Sequence, residues 1–277
     1  GEELLRSSFA FGGERCHGWP PPWQPQRASQ NWREALHGFS WLDDLRAEGS
    51  PAAQQMSVGC IADWLAGQDR WQYASWSAPV LGARLASWIG NAGFYQPALT
   101  PELHKLLMVS IARQVRHLVR LVPGNLAGLA AVTAYKGLVY GALNLGEEGT
   151  KHLGLALSLL PRLLSAEILP DGGQLCRAPS LMLSYLQQLL EIRAALATHN
   201  IATPVELDWA IKHMVPALRS LRHGDGGFAL FHGGQSQQAL LIDRILDRSA
   251  IRARGGKSLP HLGYERLQGG RCLLLCD

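Results

Sequence analysis

The fold turns on one stretch, TPELHKLLMVSIARQVRHLVRLVPG, residues 100–124. Thr100 is an N-cap residue, and Pro101 sits at the first helical position, where a missing N–H costs nothing. Apolar residues then recur at the helical period until Pro123-Gly124 ends the run, so 101–122 reads as one helix. Segments of the same build lie on both sides: 31–47, 52–66, 78–89, 125–145, 151–168 (interrupted at Pro161), 180–198, 205–221 and, more weakly, 237–248. Breakers recur between them at Pro51, Pro79, Gly146–Gly149, Asp171-Gly172-Gly173 and Pro204. Helices of similar length on short links pack antiparallel, and a long series of such hairpins must curve. With no strict repeat in the sequence, the expectation is an all-α fold, an incomplete α/α toroid spanning 30–250, rather than a regular repeat array.

The flanks differ. Phe9-Ala10-Phe11-Gly12-Gly13 reads as a strand entering a turn. Trp19-Pro20-Pro21-Pro22-Trp23 is extended because proline fixes φ and removes a donor, and it should lay its two indoles over a neighbouring surface. Residues 1–29 thus form an extended lead-in. At the other end, 226–231, 262–268 and 271–276 read as strands, the last two as a hairpin. A lone hairpin is marginal in water, so 251–277 is expected to be the edge of a truncated β domain.

Composition narrows the function. The chain has 277 residues, 47% apolar and 17% charged, with a net charge of +4. That balance is the reverse of the disordered signature and too mild for a nucleic-acid binder. The longest apolar stretch, 126–145, is broken by Lys136 and repeated glycines, which excludes a membrane span. Five cysteines without CxxC spacing indicate neither a disulfide framework nor zinc, and the histidines show no metal-ligand spacing. Gly255-Gly256-Lys257-Ser258 imitates a phosphate loop, but Ile251 occupies the place of its first glycine. No cofactor and no metal are implied. No charged region followed by an apolar run opens the chain, so the expected compartment is the cytoplasm, with the periplasm as alternative.

Of 26 cationic residues 21 are Arg, and there are nine Trp. Arg grips carboxylate or sulfate with a planar fork, and Trp offers a flat apolar face with one donor. The pair suits acidic sugars, although Arg excess also follows from GC-rich coding and Trp also fills cores. Arg113, Arg116, His117 and Arg120 share one helix face, either as a solvated basic face or as an anion-binding stripe. Gln174 and Arg177 project from the Asp171-Gly172-Gly173 loop. His223 beside Asp225 is either an oriented acid–base pair or part of an Asx-type turn.

Seven segments in order resemble the heparinase II/III-like proteins, more narrowly a bacterial branch of them. They are 1–5 followed by 9–13, His37–Leu42, Arg84–Ile89, Ile168–Gly173, Arg222–Gly227 and Gly263–Leu267. The resemblance implies a toroid followed by a β-sandwich domain. It implies a carbon–oxygen lyase that cuts uronate-containing glycans by β-elimination, with the present residues alone inactive. Transferred residue by residue, Asn125 takes the place of the carboxylate-holding Asn at a helix start. Leu181, in Pro179-Ser180-Leu181-Met182, stands where the family has a catalytic Tyr, and Tyr185 lies one turn later. The expected catalytic set is therefore Asn125, His223 and Tyr185. The expected substrate-binding set is Arg177, Gln174, Asp225, Trp41, Trp76, Trp88 and Arg84. The implied partners are an acidic polysaccharide or oligosaccharide and the protein's own β-sandwich. Two further readings remain: a non-catalytic glycan-binding or interaction module of lyase ancestry, and a helical scaffold for a partner protein.

Overall fold

The computed structural model describes residues 1–72, 74–122, 124–270 and 272–277. The expected breaker Pro123 and the expected strand start Arg271 lie outside the described residues. The chain divides into two compact units, residues 1–125 with 133–153, and residues 126–132 with 154–277.

The first unit opens with a short helix α1 (Glu2–Leu5) and a hairpin of β1 (Ser8–Phe11) and β2 (Glu14–His17), paired from Ser8↔His17 to Phe11↔Glu14. Helices α2 (Gln30–Gly38), α3 (Leu42–Glu48), α4 (Pro51–Gly67), α5 (Ala78–Gly90), α6 (Ala92–Tyr95) and α7 (Pro101–Leu121) follow. Ser29, Ser50 and Thr100 cap α2, α4 and α7 by accepting from the N–H three residues on. Of the proline-segment indoles, Trp23 is buried and donates to Asp63 at 2.6 Å, whereas Trp19 is 54% exposed.

The single helix expected over 31–47 is two. Phe39 is left-handed (φ 59°) and stops α2. Its ring, fully buried, stacks on Trp23 at 5.5 Å and Trp41 at 5.0 Å and meets the edge of Trp88 at 5.3 Å. Trp41 Nε1 then donates to the Leu36 carbonyl at 3.0 Å, which thereby accepts a second bond beside that from the Phe39 N–H. Aromatic packing outweighs the helical period here.

Helices α8 (Gly128–Leu143) and α9 (Gly146–Glu167) contribute to both units. Within the first, α5 and α8 cross in backbone contact: a Cβ on Gly82 would overlap the Thr133 carbonyl, and one on Gly137 would overlap Gly82. The expected interruption at Pro161 does not occur, because α9 runs through it with Leu160 and Leu164 buried on either side. The lost N–H bond is outweighed by that packing.

At the centre of the first unit lies a buried polar group. Arg84 is fully buried on α5, where Nε donates to Gln114 Oε1 at 2.8 Å and Nη1 to the carbonyls of His37 and Ser75, both at 2.9 Å. Its guanidinium lies 4.2 Å from the Trp64 ring centroid. His37 Nδ1 accepts from Trp64 Nε1 at 3.1 Å, so Nε2 carries the proton and donates to the Trp23 carbonyl at 3.1 Å. Burial, reinforced by the Arg84 charge, pushes the His37 pKa down to about 4.

The second unit holds α10 (Pro179–Thr198), α11 (Val205–Ser220) and α12 (Ala239–Arg248), with α10 packed on both others. Met182, Leu186, Leu189, Met214, Leu218 and Ile245 form its core. Three antiparallel strands, β3 (Ser258–Leu259), β4 (Tyr264–Gly269) and β5 (Cys272–Cys276), run in that order, with Leu267 opposite Leu274. The strand expected over 226–231 is absent. Only Phe228 bridges to Arg222, after which a 3₁₀ turn forms at Phe231–Gly233. Among the described residues no helix is long and apolar enough to cross a membrane.

Gly137→Ala, which on an exposed helix face would stabilise by up to ~1 kcal/mol, should instead cost roughly 2 kcal/mol in urea unfolding, since the crossing must open. Because the native His37 pKa lies below its unfolded value, stability is full above pH 6.5 and falls as pH drops to about 4. The loss approaches ~3 kcal/mol. Denaturation across that range should show it, and His37→Gln, which keeps both hydrogen bonds, should flatten it.

Candidate functional site

Two helix exits in the second unit are built alike. After α9, Leu169 N–H donates to the Gly173 carbonyl at 2.8 Å and Gly172 N–H returns to Leu169 at 2.9 Å, while Asp171 Oδ1 accepts from Gly173 N–H at 3.0 Å. After α11, His223 N–H donates to Gly227 at 2.9 Å, Gly226 N–H returns to His223 at 3.1 Å, and Asp225 Oδ1 accepts from Gly227 N–H at 2.8 Å. Of the two readings offered for His223 and Asp225, the Asx-type turn is the one present; both side chains are exposed. Gly172 has no substitute, since its φ is +82° and a Cβ would overlap the His213 carbonyl.

The first turn differs in what its carboxylate does next. Asp171 Oδ2 accepts the N–H of His261 at 2.8 Å and of Leu262 at 2.9 Å. Those amides are therefore unavailable to a strand ladder, and β4 starts at Tyr264 rather than at the expected 262. The Leu262 carbonyl then receives Arg177 Nε at 3.0 Å, and Tyr264 Oη donates to the Arg177 carbonyl at 2.7 Å. The Arg177 guanidinium lies over the Tyr264 ring, 5.2 Å from its centroid. Phe231 stacks on Tyr264 at 5.0 Å, and His232 lies 6.3 Å from it. Asp277 closes the cluster, with Oδ1 on Arg177 Nη2 and Oδ2 on His232 Nε2 at 2.7 Å. Burial, with the Asp277 charge, pushes the Tyr264 hydroxyl up to about 12.

The other expected residues fall elsewhere. Gln174 is buried and faces inward, donating to Glu167 Oε2 at 3.1 Å and accepting from Cys176 Sγ at 2.9 Å. The other Glu167 oxygen takes the Gly128 N–H at 2.6 Å, capping α8. Asn125, expected at that helix start, lies exposed in the bend ahead of it. Tyr185 is fully buried on α10; burial and the Glu167 charge hold its hydroxyl above the ordinary tyrosine range. Its hydroxyl is shut away from solvent, whereas Leu181, at the expected tyrosine position, is 44% exposed. Trp41, Trp76, Trp88 and Arg84 are all buried in the first unit, and Trp41 borders an open pocket with Phe11, Glu34, Ser40 and Asp44. Three of the four α7 stripe residues are engaged within the unit: Arg113 pairs with Asp69 at 2.6 Å, Arg116 grips Glu148 at 2.5 and 2.8 Å, and His117 packs on Trp76, while Arg120 is exposed. Among the described residues no group of three His, Cys, Asp or Glu side chains could hold a metal ion.

Sequence reading missed His232, Asp277 and Glu167, and met Tyr264 only inside a family segment. Arg177 and His232 share one local signal, a left-handed backbone at a non-glycine residue (φ 56° and 50°), which the sequence does not display.

No family model matches this chain. Among solved structures it is similar to heparinase III, with a TM-score of 0.70, 14% identity, and coverage of 87% of this chain and 39% of that one. It is also similar to the heparan sulfate lyase HepC from Pedobacter heparinus, with a TM-score of 0.68, 15% identity, and coverage of 99% and 49%. Among curated proteins it is 29% identical over 256 residues to FtsZ-localized protein C of Caulobacter vibrioides, covering 92% of this chain and 44% of that protein. The chain thus spans less than half the length of each. The structural likeness establishes the fold, an all-α heparinase-type toroid with a few strands.

Asp171→Asn keeps one acceptor oxygen but turns an NH₂ toward backbone donors. It should cost roughly 2 kcal/mol in chemical denaturation and speed hydrogen exchange at the His261 and Leu262 amides, leaving the first unit's amides unchanged.

Proposed function

We propose that this chain is the glycan-holding toroid portion of a polysaccharide lyase-like protein directed at uronate-containing acidic glycans. The observation that carries the reading is the Arg177 guanidinium. It stands on a helix-linking loop of a lyase fold, is oriented by the Leu262 carbonyl and the Tyr264 ring, and is engaged with a carboxylate. β-Elimination at a uronate requires three things: neutralisation of the carboxylate that acidifies the C5 proton, a base to take that proton, and an acid for the leaving oxygen. Arg177 can supply the first.

The second is not free in the same cluster, because the one imidazole there, His232, has its Nε2 held on Asp277 at 2.7 Å. Leu181 has no titratable group, Tyr185 is buried, and the Tyr264 hydroxyl is committed to the Arg177 carbonyl with its pKa at about 12. The reading is therefore retention of the acidic glycan by these residues, with proton abstraction left to groups outside them. Strands β3–β5, where Leu267 and Leu274 face each other exposed, support the further β domain that the resemblance implies. Cytoplasmic location is part of the proposal.

A second reading is favoured by one finding, the similarity over most of this chain to a protein named for its localisation with FtsZ. On that reading the lyase fold serves as an interaction module, and the loop cluster holds an acidic side chain of a partner protein.

Incubation of the chain with heparan-type and alginate-type polymers separates these. The expected outcome is binding of at least one uronate polymer, no rise in the ultraviolet absorbance of unsaturated product, and roughly tenfold weaker binding by Arg177→Ala. Product formation would overturn retention without cleavage. Absence of binding to every acidic polymer would overturn the glycan reading and leave the interaction module.

A further inference from the structure

We infer that Arg177 and His232 form a two-point carboxylate receptor whose present occupant is the Asp277 side chain, so that Asp277 is an internal competitor for the uronate carboxylate. The inference rests on the glycan reading above for the identity of the ligand, but not for the existence of the receptor.

One carboxylate is shared between two donors from separate segments: Oδ1 meets Arg177 Nη2, and Oδ2 meets His232 Nε2 at 2.7 Å. Both donors stand on left-handed, non-glycine backbone, a strained conformation that persists only where the surroundings hold it. The holding groups are visible. Arg177 Nε is tied to the Leu262 carbonyl at 3.0 Å, which fixes the plane of the fork and leaves Nη2 to the carboxylate. The segment after His232 is tied back to α10, where Ser180 Oγ accepts the Gln235 N–H at 3.0 Å. Phe231, next to His232, stacks on the same Tyr264 ring that lies under Arg177. The Arg177 fork is thus held by groups other than Asp277, and the backbone carrying His232 is anchored on both sides of it.

The pair is also reachable. The side chains of Arg177, His232 and Asp277 are 37%, 35% and 31% exposed. An ion pair this open is worth little net free energy, so a ligand carboxylate can exchange with it. Asp277 holds the pair because it is tethered, which gives it a high effective concentration that a dissolved ligand must exceed. Removing the tethered carboxylate should raise affinity for a free one.

The test compares wild type, Asp277→Ala and Asp277→Ala/His232→Ala by calorimetry, with thermal midpoints confirming that each is folded. The probes are a tetrasaccharide of alternating glucuronate and N-acetylglucosamine, and its carboxyl-reduced counterpart. The expected result is about tenfold tighter binding of the acidic tetrasaccharide by Asp277→Ala, no gain for the reduced one, and loss of most of the gain in the double variant. Equal or weaker binding by Asp277→Ala would overturn the receptor while leaving the glycan reading standing, as would an equal gain for both probes. If no variant binds the tetrasaccharide, the glycan reading falls and acetate decides the receptor. Acetate-induced shifts of the His232 ring resonances in Asp277→Ala, absent in Asp277→Ala/Arg177→Lys, support it; no shift in either overturns it.

Discussion

The Asp171 carboxylate is the constraint on which the second unit's site depends. Its two oxygens take three backbone N–H groups, one in its own turn and two from the approach to β4. A charged acceptor on amide donors is among the stronger hydrogen-bonding arrangements in proteins. It sets where Leu262 presents its carbonyl, and that carbonyl sets the plane of Arg177. The turn can form only because Gly172 adopts a positive φ against the His213 backbone. The Asp225 turn has the same internal bonds, but its carboxylate serves its own loop. There the link to β4 comes from the opposite direction, through Arg266 donating to the carbonyls of Ser220 and Arg222.

The helices were legible wherever local signals suffice. Thr100-Pro101 and Ser50-Pro51 start helices as caps and first-turn prolines should, and the boundaries of α4, α5, α7, α10 and α11 fall within one or two residues of the periodic reading. Local signals failed where tertiary packing decides. Phe39 breaks a helical period because an aromatic stack needs its ring, and Pro161 is carried through α9 by buried leucines. The Asx turns were readable from Asp-Gly-Gly itself, since the aspartate side chain closes on its own loop.

The candidate site was less legible for a physical reason. Arg177 and Asp277 are 100 residues apart, and Arg177 and Tyr264 are 87 apart, so no spacing rule connects them. Composition misled in the opposite direction. Trp64, Trp88 and Arg84, residue types suggestive of a sugar groove, are spent on a buried cluster in which indole faces and main-chain carbonyls stabilise a guanidinium with no carboxylate bonded to it. Two of the basic residues on α7, Arg113 and Arg116, are likewise paired within their own unit by Asp69 and Glu148. The second unit offers a ligand a small group of donors, Arg177 and His232, with Leu181 where the resemblance places a catalytic hydroxyl. Such a group retains an anion more readily than it performs an elimination.

The most direct measurement is a crystal structure of the chain soaked with a uronate oligosaccharide. The account predicts a uronate carboxylate bridging Arg177 Nη2 and His232 Nε2, with Asp277 displaced and the Arg177–Leu262 bond intact. An ordered oligosaccharide bound elsewhere, with Asp277 still seated on Arg177 and His232, would contradict it.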